Sequence, residues 1–206
     1  MRKKPYLVGI SGGSGCGKTT VLNALIEHMP LNSIALISQD NYYKDIHLQP
    51  LDNNGKVNFD TPESFRRNEL ISDIERLSQG ESISKTEYTF NNENRTAGEV
   101  LVHPAPIILV EGLFVFHFDE ISRLLDYKVF IETQENHRLE RRIKRDWEER
   151  GYPKEEVLYQ WENHVMPAFN SFLLPHVASC DLVIDNNDHF ESDLQVLARH
   201  LQGLIS

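Results

Sequence analysis

The sequence predicts an α/β fold, a five-stranded parallel sheet flanked by helices, and three observations carry that prediction. Five short runs are apolar throughout and alternate with helical patterns, as strands covered on both faces do. The glycine-rich stretch Gly12 to Thr19 joins the first of these runs directly to a helical pattern. The segment from Glu81 to His103 breaks the rhythm with apolar residues at alternating positions and reads as a small antiparallel β-hairpin insertion. A chain of 206 residues can bury one substantial core, so residues 1–206 read as a single domain.

Tyr6 to Ile10 forms the first strand, and Val21 to Ile26 continues the helix that starts near Gly17. Ser33 to Ser38 is the second strand and ends in Gln39-Asp40. Pro62 opens a helix across Phe65 to Leu77, where Leu70, Ile71, Ile74 and Leu77 recur at helical spacing. Within the insertion, Ile83, Tyr88-Thr89-Phe90 and Val100-Leu101-Val102 supply the alternation. Ile107 to Gly112, Tyr127 to Ile131 and Asp181 to Asp185 are the remaining strands. Helices cover His137 to Glu149, Lys154 to Val165 and Ser192 to Leu201. Such sheets collect ligands beyond the C-terminal ends of their strands, where Ser11, Asp40 and Glu111 fall.

Composition narrows the partners. Acidic groups outnumber basic ones 31 to 21, a formal charge of −10, and no lysine-arginine run interrupts that balance, which argues against nucleic acid. The apolar runs are too short to cross a bilayer, which argues against a membrane. Met1-Arg2-Lys3-Lys4 runs straight into the first strand without a small-residue cleavage site, so it reads as a solvated terminus. Cys16 and Cys180 give no framework for disulfides or zinc, and the cytoplasm is the expected compartment. Cys16 lies beside a helix start; it reads as a small residue tolerated there in preference to a reactive thiol.

Gly12, Gly13, Ser14, Gly15, Cys16, Gly17, Lys18 and Thr19 fit the pattern of a glycine, four residues and Gly-Lys-Thr, with Thr20 following. The glycines let backbone N–H groups turn toward phosphate oxygens, and the helix start adds its positive dipole end. Lys18 would reach the outer phosphates and the Thr19 hydroxyl would ligate Mg²⁺, so a nucleoside triphosphate is the expected ligand. Asp40 could accept a proton from an acceptor hydroxyl close to the metal, or serve as a turn or N-cap aspartate. Glu111 ends an apolar run and is placed to hold Mg²⁺ directly or through water. Asp60 could bind vicinal hydroxyls or cap the helix that Pro62 begins, and spacing leaves both open. Arg138, Arg141, Arg142 and Arg145 share one broad helix face, with Arg150 just beyond. Their planar forks suit phosphates, which predicts a lid over about residues 138–153 that closes on the nucleotide and excludes water. The alternative is a solvated helix laced with pairs such as Arg145 and Glu149.

In their order along the chain these residues resemble the uridine (uridine–cytidine) kinases, within the phosphoribulokinase-like branch of the P-loop kinases. The resemblance rests on the phosphate loop, Ser38-Gln39-Asp40 with Tyr42-Tyr43, Asn58-Phe59-Asp60-Thr61-Pro62 and Glu87-Tyr88-Thr89-Phe90. It continues through Val110-Glu111-Gly112, the Arg138 to Gly151 helix and Val165-Met166-Pro167-Ala168-Phe169, and so covers nearly the whole chain. It implies a P-loop NTPase fold with the hairpin over the acceptor, an ATP-dependent kinase making UMP or CMP with Mg²⁺, and a homo-tetramer. It further implies Asp40 as base at the 5′-hydroxyl, with Glu111 and Thr19 helping to hold the metal. Asp60 and Arg142 would contact the nucleoside, Tyr88 its base, and Gln160 the far side of the pocket. Arg145 and Arg150 would belong to the lid, and Asp185 to Asp188 would lie near the adenine.

Three residues depart from the family pattern, all on the acceptor side. Thr89 stands where an aspartate is usual, Glu93 replaces a base-reading histidine or aromatic, and Tyr152 replaces an arginine after the lid glycine. An ionised carboxylate only accepts hydrogen bonds, so Glu93 would suit an exocyclic amine such as cytosine N4 over the uracil O4. A sibling kinase acting on pantothenate or another nucleoside, and GTP in place of ATP, are the alternatives. A regulatory switch is the reading from another class: Asp52-Asn53-Asn54-Gly55 matches a GTPase Asp-x-x-Gly element, but it sits between polar residues, not at a strand end.

Overall fold

The structure, a computed structural model, describes residues 4–90 and 96–205 and contains the predicted parallel sheet. Its strands are β1 (Tyr6–Gly12), β2 (Ile34–Ser38), β5 (Ile107–Glu111), β6 (Tyr127–Glu132) and β7 (Leu182–Asp185), in the order β2-β5-β1-β6-β7. β3 (Ile83–Thr86) and β4 (Glu99–Val102) form the antiparallel hairpin between β2 and β5 in sequence. The helices are α1 (Lys18–Glu27), α2 (Arg67–Ser78), α3 (Asp119–Ser122), α4 (Glu135–Arg150), α5 (Lys154–Gln160), α6 (Met166–Ala168) and α7 (Glu191–Ile205).

Side chains alternate across a strand, so β1 feeds two cores. Leu7 packs with Ile108, Val110 and Phe130 against Leu70, Ile74 and Leu77 of α2. Val8 and Ile10 pack with Leu109 and Ile131 against α1 and α7. Each fully buried leucine or isoleucine contributes about 2 kcal/mol, so this double layer is the stable frame on which the loops at its C-terminal edge are mounted.

Register delivers the site. β2 pairs with β5 so that Ser38 stands opposite Glu111, and β1 pairs with β5 so that Ile10 also does. Asp40 follows Ser38 by two residues and is therefore set beside Glu111.

Three elements differ from the sequence expectation. Pro62 opens only a 3₁₀ turn, Pro62–Ser64, and the helix begins at Arg67. Phe65 is held extended between them by an antiparallel bridge to Tyr43, and the Arg66 N–H donates to the Tyr42 carbonyl at 2.7 Å. Tyr88-Thr89-Phe90 leaves the hairpin ladder, with Phe90 at φ 51°. The helix expected to stop at Val165 runs on through a π-wound segment, Trp161–Val165, then α6 and a second π segment, Phe169–Leu173. Pro167 does not end it: the chain is π-wound on both sides of α6, which displaces the regular hydrogen-bond ladder where the proline lacks an N–H.

Candidate functional site

The phosphate loop is fixed by its neighbours. Gly15 has φ 77°, and a Cβ there would lie 2.2 Å from the Arg138 carbonyl oxygen. Gly17, the N-cap of α1, has φ 88°, and its Cβ would lie 2.3 Å from Asn186 Nδ2. Cys16 packs wholly inside the core, and its carbonyl accepts from Asn186 Nδ2 at 2.7 Å and Thr133 Oγ1 at 3.1 Å. That favours the tolerated small residue over the reactive thiol. Lys18 Nζ donates to the Gly12 carbonyl at 2.8 Å, while Thr19 and Thr20 are exposed at the start of α1.

The loop opens into a cavity of about 520 Å³ that also takes in Asp40, Glu111, Asp60 and the arginine helix. Ser38 Oγ donates to Glu111 Oε1 and accepts from the Asp40 backbone N–H at 3.3 Å. Ser38 thus supplies the turn cap, and the Asp40 carboxylate is left to face the cavity. Loss of hydration raises the Asp40 pKa above the ordinary range against the pull of Lys18, Arg150 and Arg145, with Asp60 adding to the rise. Glu111 is pushed up to about 7, chiefly by burial and then by the Asp40 charge, with Lys18 and Ser38 opposing. Two carboxylates made costly by burial, with the Thr19 hydroxyl in the same cavity, are hard oxygen donors that a divalent cation would relieve. Among the described residues no group of three or more His, Cys, Asp and Glu side chains forms a cage. A pair of carboxylates is the donor set that usually holds Mg²⁺ together with phosphate oxygens.

The arginines of α4 separate into distinct tasks. The Arg138 guanidinium lies 4.1 Å over the Phe169 ring and 5.4 Å from Trp161, so it is a wedge against the phosphate loop and not part of a lid face. Arg141 Nη2 donates to the Asn186 carbonyl at 3.1 Å. Arg142 donates to Ser14 Oγ and to Gln160 Oε1, each at 2.8 Å, and stands 3.8 Å from Asp60. Arg142, Arg145 and Arg150 converge on the fully enclosed Asp146 at 3.2, 2.8 and 3.2 Å. The neutralising anion is therefore internal, and the ion partner that Arg145 shows is Asp146, its sequence neighbour. Sequence reasoning missed Asp146, although Arg142 and Arg150 each lie four residues from it.

The opposite wall is aromatic. Tyr43 is its hub, with ring centroids 4.1 Å from Phe65, 5.0 Å from Tyr88 and 5.7 Å from both Phe59 and Phe90. Tyr43, Phe59 and Phe90 line the cavity, whereas Tyr88, the residue singled out from the sequence, is not among its lining residues. The Tyr88 hydroxyl is buried without a partner among the described residues, and burial pushes its pKa up to about 12. Arg150 lies 4.0 Å over the Phe90 ring. Asp60 is buried and directs its carboxylate to Arg142; Thr61 occupies the cap position ahead of Pro62, so Asp60 is not that cap. Gln160 and Tyr152 line the cavity, Thr89 does not, and Glu93 lies outside the described residues. Asp188 is exposed and outside the lining; Asn186 is the residue of that loop that touches the phosphate loop. Asp52, the residue of the switch-like motif, is engaged by Tyr159 at 2.6 Å and His164 at 2.8 Å, not by the phosphate loop.

A sequence profile of the Phosphoribulokinase / Uridine kinase family matches residues 7–190. A protein named uridine kinase from Anoxybacillus flavithermus is 36% identical over 205 residues, 100% of this chain and 97% of that one. Another uridine kinase, from Borrelia garinii, is 37% identical over 198 residues, 96% of this chain and 95% of that one. Among solved structures, a putative fructose transport system kinase from Silicibacter sp. superposes with a TM-score of 0.64 at 16% identity, covering 88% of this chain and 90% of that one. At that identity the likeness speaks for the fold alone. Among the described residues no helix is long and apolar enough to cross a membrane.

Proposed function

The chain belongs to the phosphoribulokinase/uridine kinase family, and from that premise we propose that it is a cytoplasmic nucleoside kinase moving the γ-phosphoryl group of ATP to the 5′-hydroxyl of a pyrimidine nucleoside, uridine first. One observation carries the reading: a single cavity joins the phosphate loop to a half-buried carboxylate pair on one side and an arginine-and-aromatic wall on the other. Phosphoryl transfer is mostly positioning and charge neutralisation, which is what these residues offer.

Gly12 to Thr20 would cradle the phosphates through backbone N–H groups, with Lys18 turning from the Gly12 carbonyl to the outer oxygens. Glu111, Asp40 and Thr19 would hold Mg²⁺, which would supply neutralisation of the phosphate charge when bound. Asp40 accepts the proton of the 5′-hydroxyl as its oxygen bonds to the γ-phosphorus, and the bond to the β-phosphate oxygen breaks with its electrons leaving on ADP. A carboxylate whose pKa is raised is a better base for this proton than an ordinary one. Arg145 and Arg150 would meet the charge spreading over the transferring oxygens, and Arg142, Gln160 and Asp60 would hold the sugar. The aromatic wall offers flat apolar area to a base.

The test measures ADP release with Mg²⁺ and ATP or GTP, with no acceptor and then with uridine, cytidine, purine nucleosides and pantothenate in turn. Turnover confined to pyrimidine nucleosides is expected; turnover without acceptor, or only with a non-nucleoside alcohol, overturns the reading. The uridine-to-cytidine ratio in the same panel reads the role of Glu93, and light scattering reads the tetramer that the family resemblance implies.

A further inference from the structure

Asp52 and His164 form a pair that the transfer step does not use. Both side chains are nearly enclosed, at 11% and 2% exposure, and His164 Nε2 lies 2.8 Å from Asp52 Oδ2. The Tyr159 hydroxyl donates to the same oxygen at 2.6 Å, and the Asn54 and Lys56 backbone N–H groups donate to Oδ1 at 2.8 Å each. Tyr159 is braced in turn, by Asn54 Nδ2 at 2.6 Å and by Lys56 Nζ, 3.7 Å over its ring. The Tyr159 bond foremost, then the His164 bond, hold the Asp52 carboxyl well below the usual carboxylate range. An ionised carboxylate only accepts, so the shared proton belongs to Nε2. In the neutral imidazole this leaves Nδ1 as a lone-pair acceptor, fixed in tautomer and orientation by Asp52.

His164 lines the same cavity as the transfer site, and the side-chain hydrogen bond it shows is made through Nε2, not Nδ1. It follows Gln160 by four residues in the π-wound segment, where a turn takes slightly more than four residues, so the two share one face. Gln160 holds Arg142, which faces Asp60, so His164 extends the polar wall. Flat aromatic area lies with Tyr43, Phe59 and Phe90, which leaves the hydroxyl-bearing part of an acceptor for the polar side.

Resting on the nucleoside-kinase reading, we propose that His164, held by Asp52, is a specificity-determining residue whose Nδ1 accepts a hydrogen bond from a vicinal sugar hydroxyl and so selects ribonucleosides over deoxyribonucleosides. The test compares kcat/KM for uridine, 2′-deoxyuridine and 3′-deoxyuridine in the wild type, His164→Leu and Asp52→Asn. His164→Leu lowers the uridine value about tenfold, mainly through KM, and leaves unchanged the analogue that lacks the contacted hydroxyl. Asp52→Asn gives the same pattern by another route, because an amide can donate to Nε2 and turn Nδ1 into a donor. That variant keeps the test decisive if His164→Leu fails to fold. An equal loss on all three acceptors, or a wild type indifferent to both missing hydroxyls, overturns the inference alone. A wild type that phosphorylates no nucleoside overturns the kinase reading and the inference with it.

Discussion

The phosphate loop and the wall of arginine and aromatic side chains line one cavity, yet they are made differently. The loop is shaped by backbone sterics: Gly15 and Gly17 hold left-handed conformations with neighbours where a Cβ would stand. The opposite wall is assembled from side chains: Tyr43 just past a 3₁₀ turn, Phe90 on the chain leaving the hairpin, and the arginines of α4. A backbone cradle can take any triphosphate, since it reads only phosphate oxygens. A side-chain wall can change its acceptor by single substitutions, and the departures Thr89, Glu93 and Tyr152 all fall on that half of the sequence pattern.

Four variants would break or sharpen this division, taken from the largest effect. Asp40→Asn should lower kcat about 10³-fold while nucleotide affinity, read with a non-hydrolysable analogue in the absence of Mg²⁺, stays unchanged. Parallel loss of both would mean that the halves are one unit. Asp146→Asn should cost about 4 kcal/mol in urea unfolding, because three guanidiniums lose a buried counter-charge. A cost below about 1 kcal/mol would show that those arginines do not depend on it.

The third variant concerns pH. The Glu111 carboxyl is raised from 4.5 to about 7 in the fold. Between those values the folded state keeps a proton that the unfolded state has released. The stabilisation present below pH 4.5 is therefore lost as pH climbs through 7, about 3 kcal/mol in the nucleotide-free protein. Glu111→Gln should flatten that fall in Tm and abolish Mg²⁺-dependent turnover; the same slope in wild type and variant would contradict the assignment. Gly15→Ala should cost about 2 kcal/mol from its left-handed φ alone, with the displaced Arg138 carbonyl adding to that, and should act on nucleotide affinity while leaving the acceptor KM alone, the mirror of Asp40→Asn.

Legibility in the sequence follows the same division. The five parallel strands were readable because residues such as Ile107 to Val110 are apolar without interruption, and their ends then located the loop, Asp40 and Glu111. The helix at Pro62 was misjudged because pairing of Tyr43 with Phe65, a tertiary contact, holds the chain extended there. The resemblance points to Tyr88 for the base, whereas Tyr43, Phe59 and Phe90 line the cavity, the last at a positive φ that local sequence does not announce. Asp146 had its signal in the two arginines four residues away, though nothing local distinguishes a buried carboxylate from a solvated one. Asp52 and His164 lie 112 residues apart, and no spacing rule reaches that far.

Arg138, Arg142, Asp146 and Arg150 recur every four residues along α4. Each step advances about 6 Å along the axis, so the backbone positions of Arg138, against the phosphate loop, and Arg150, which reaches Phe90, are about 18 Å apart on one rod. The helix is thus a ruler between the phosphate loop and the aromatic wall, and what it measures is a count of peptide units. Changing an outward residue such as Trp147, 63% exposed, leaves the measure intact. Deleting it would swing Arg150 by about 100° while every other side chain named here was kept. A chain with the right residues and the wrong count would still bind its triphosphate, with the aromatic wall out of line.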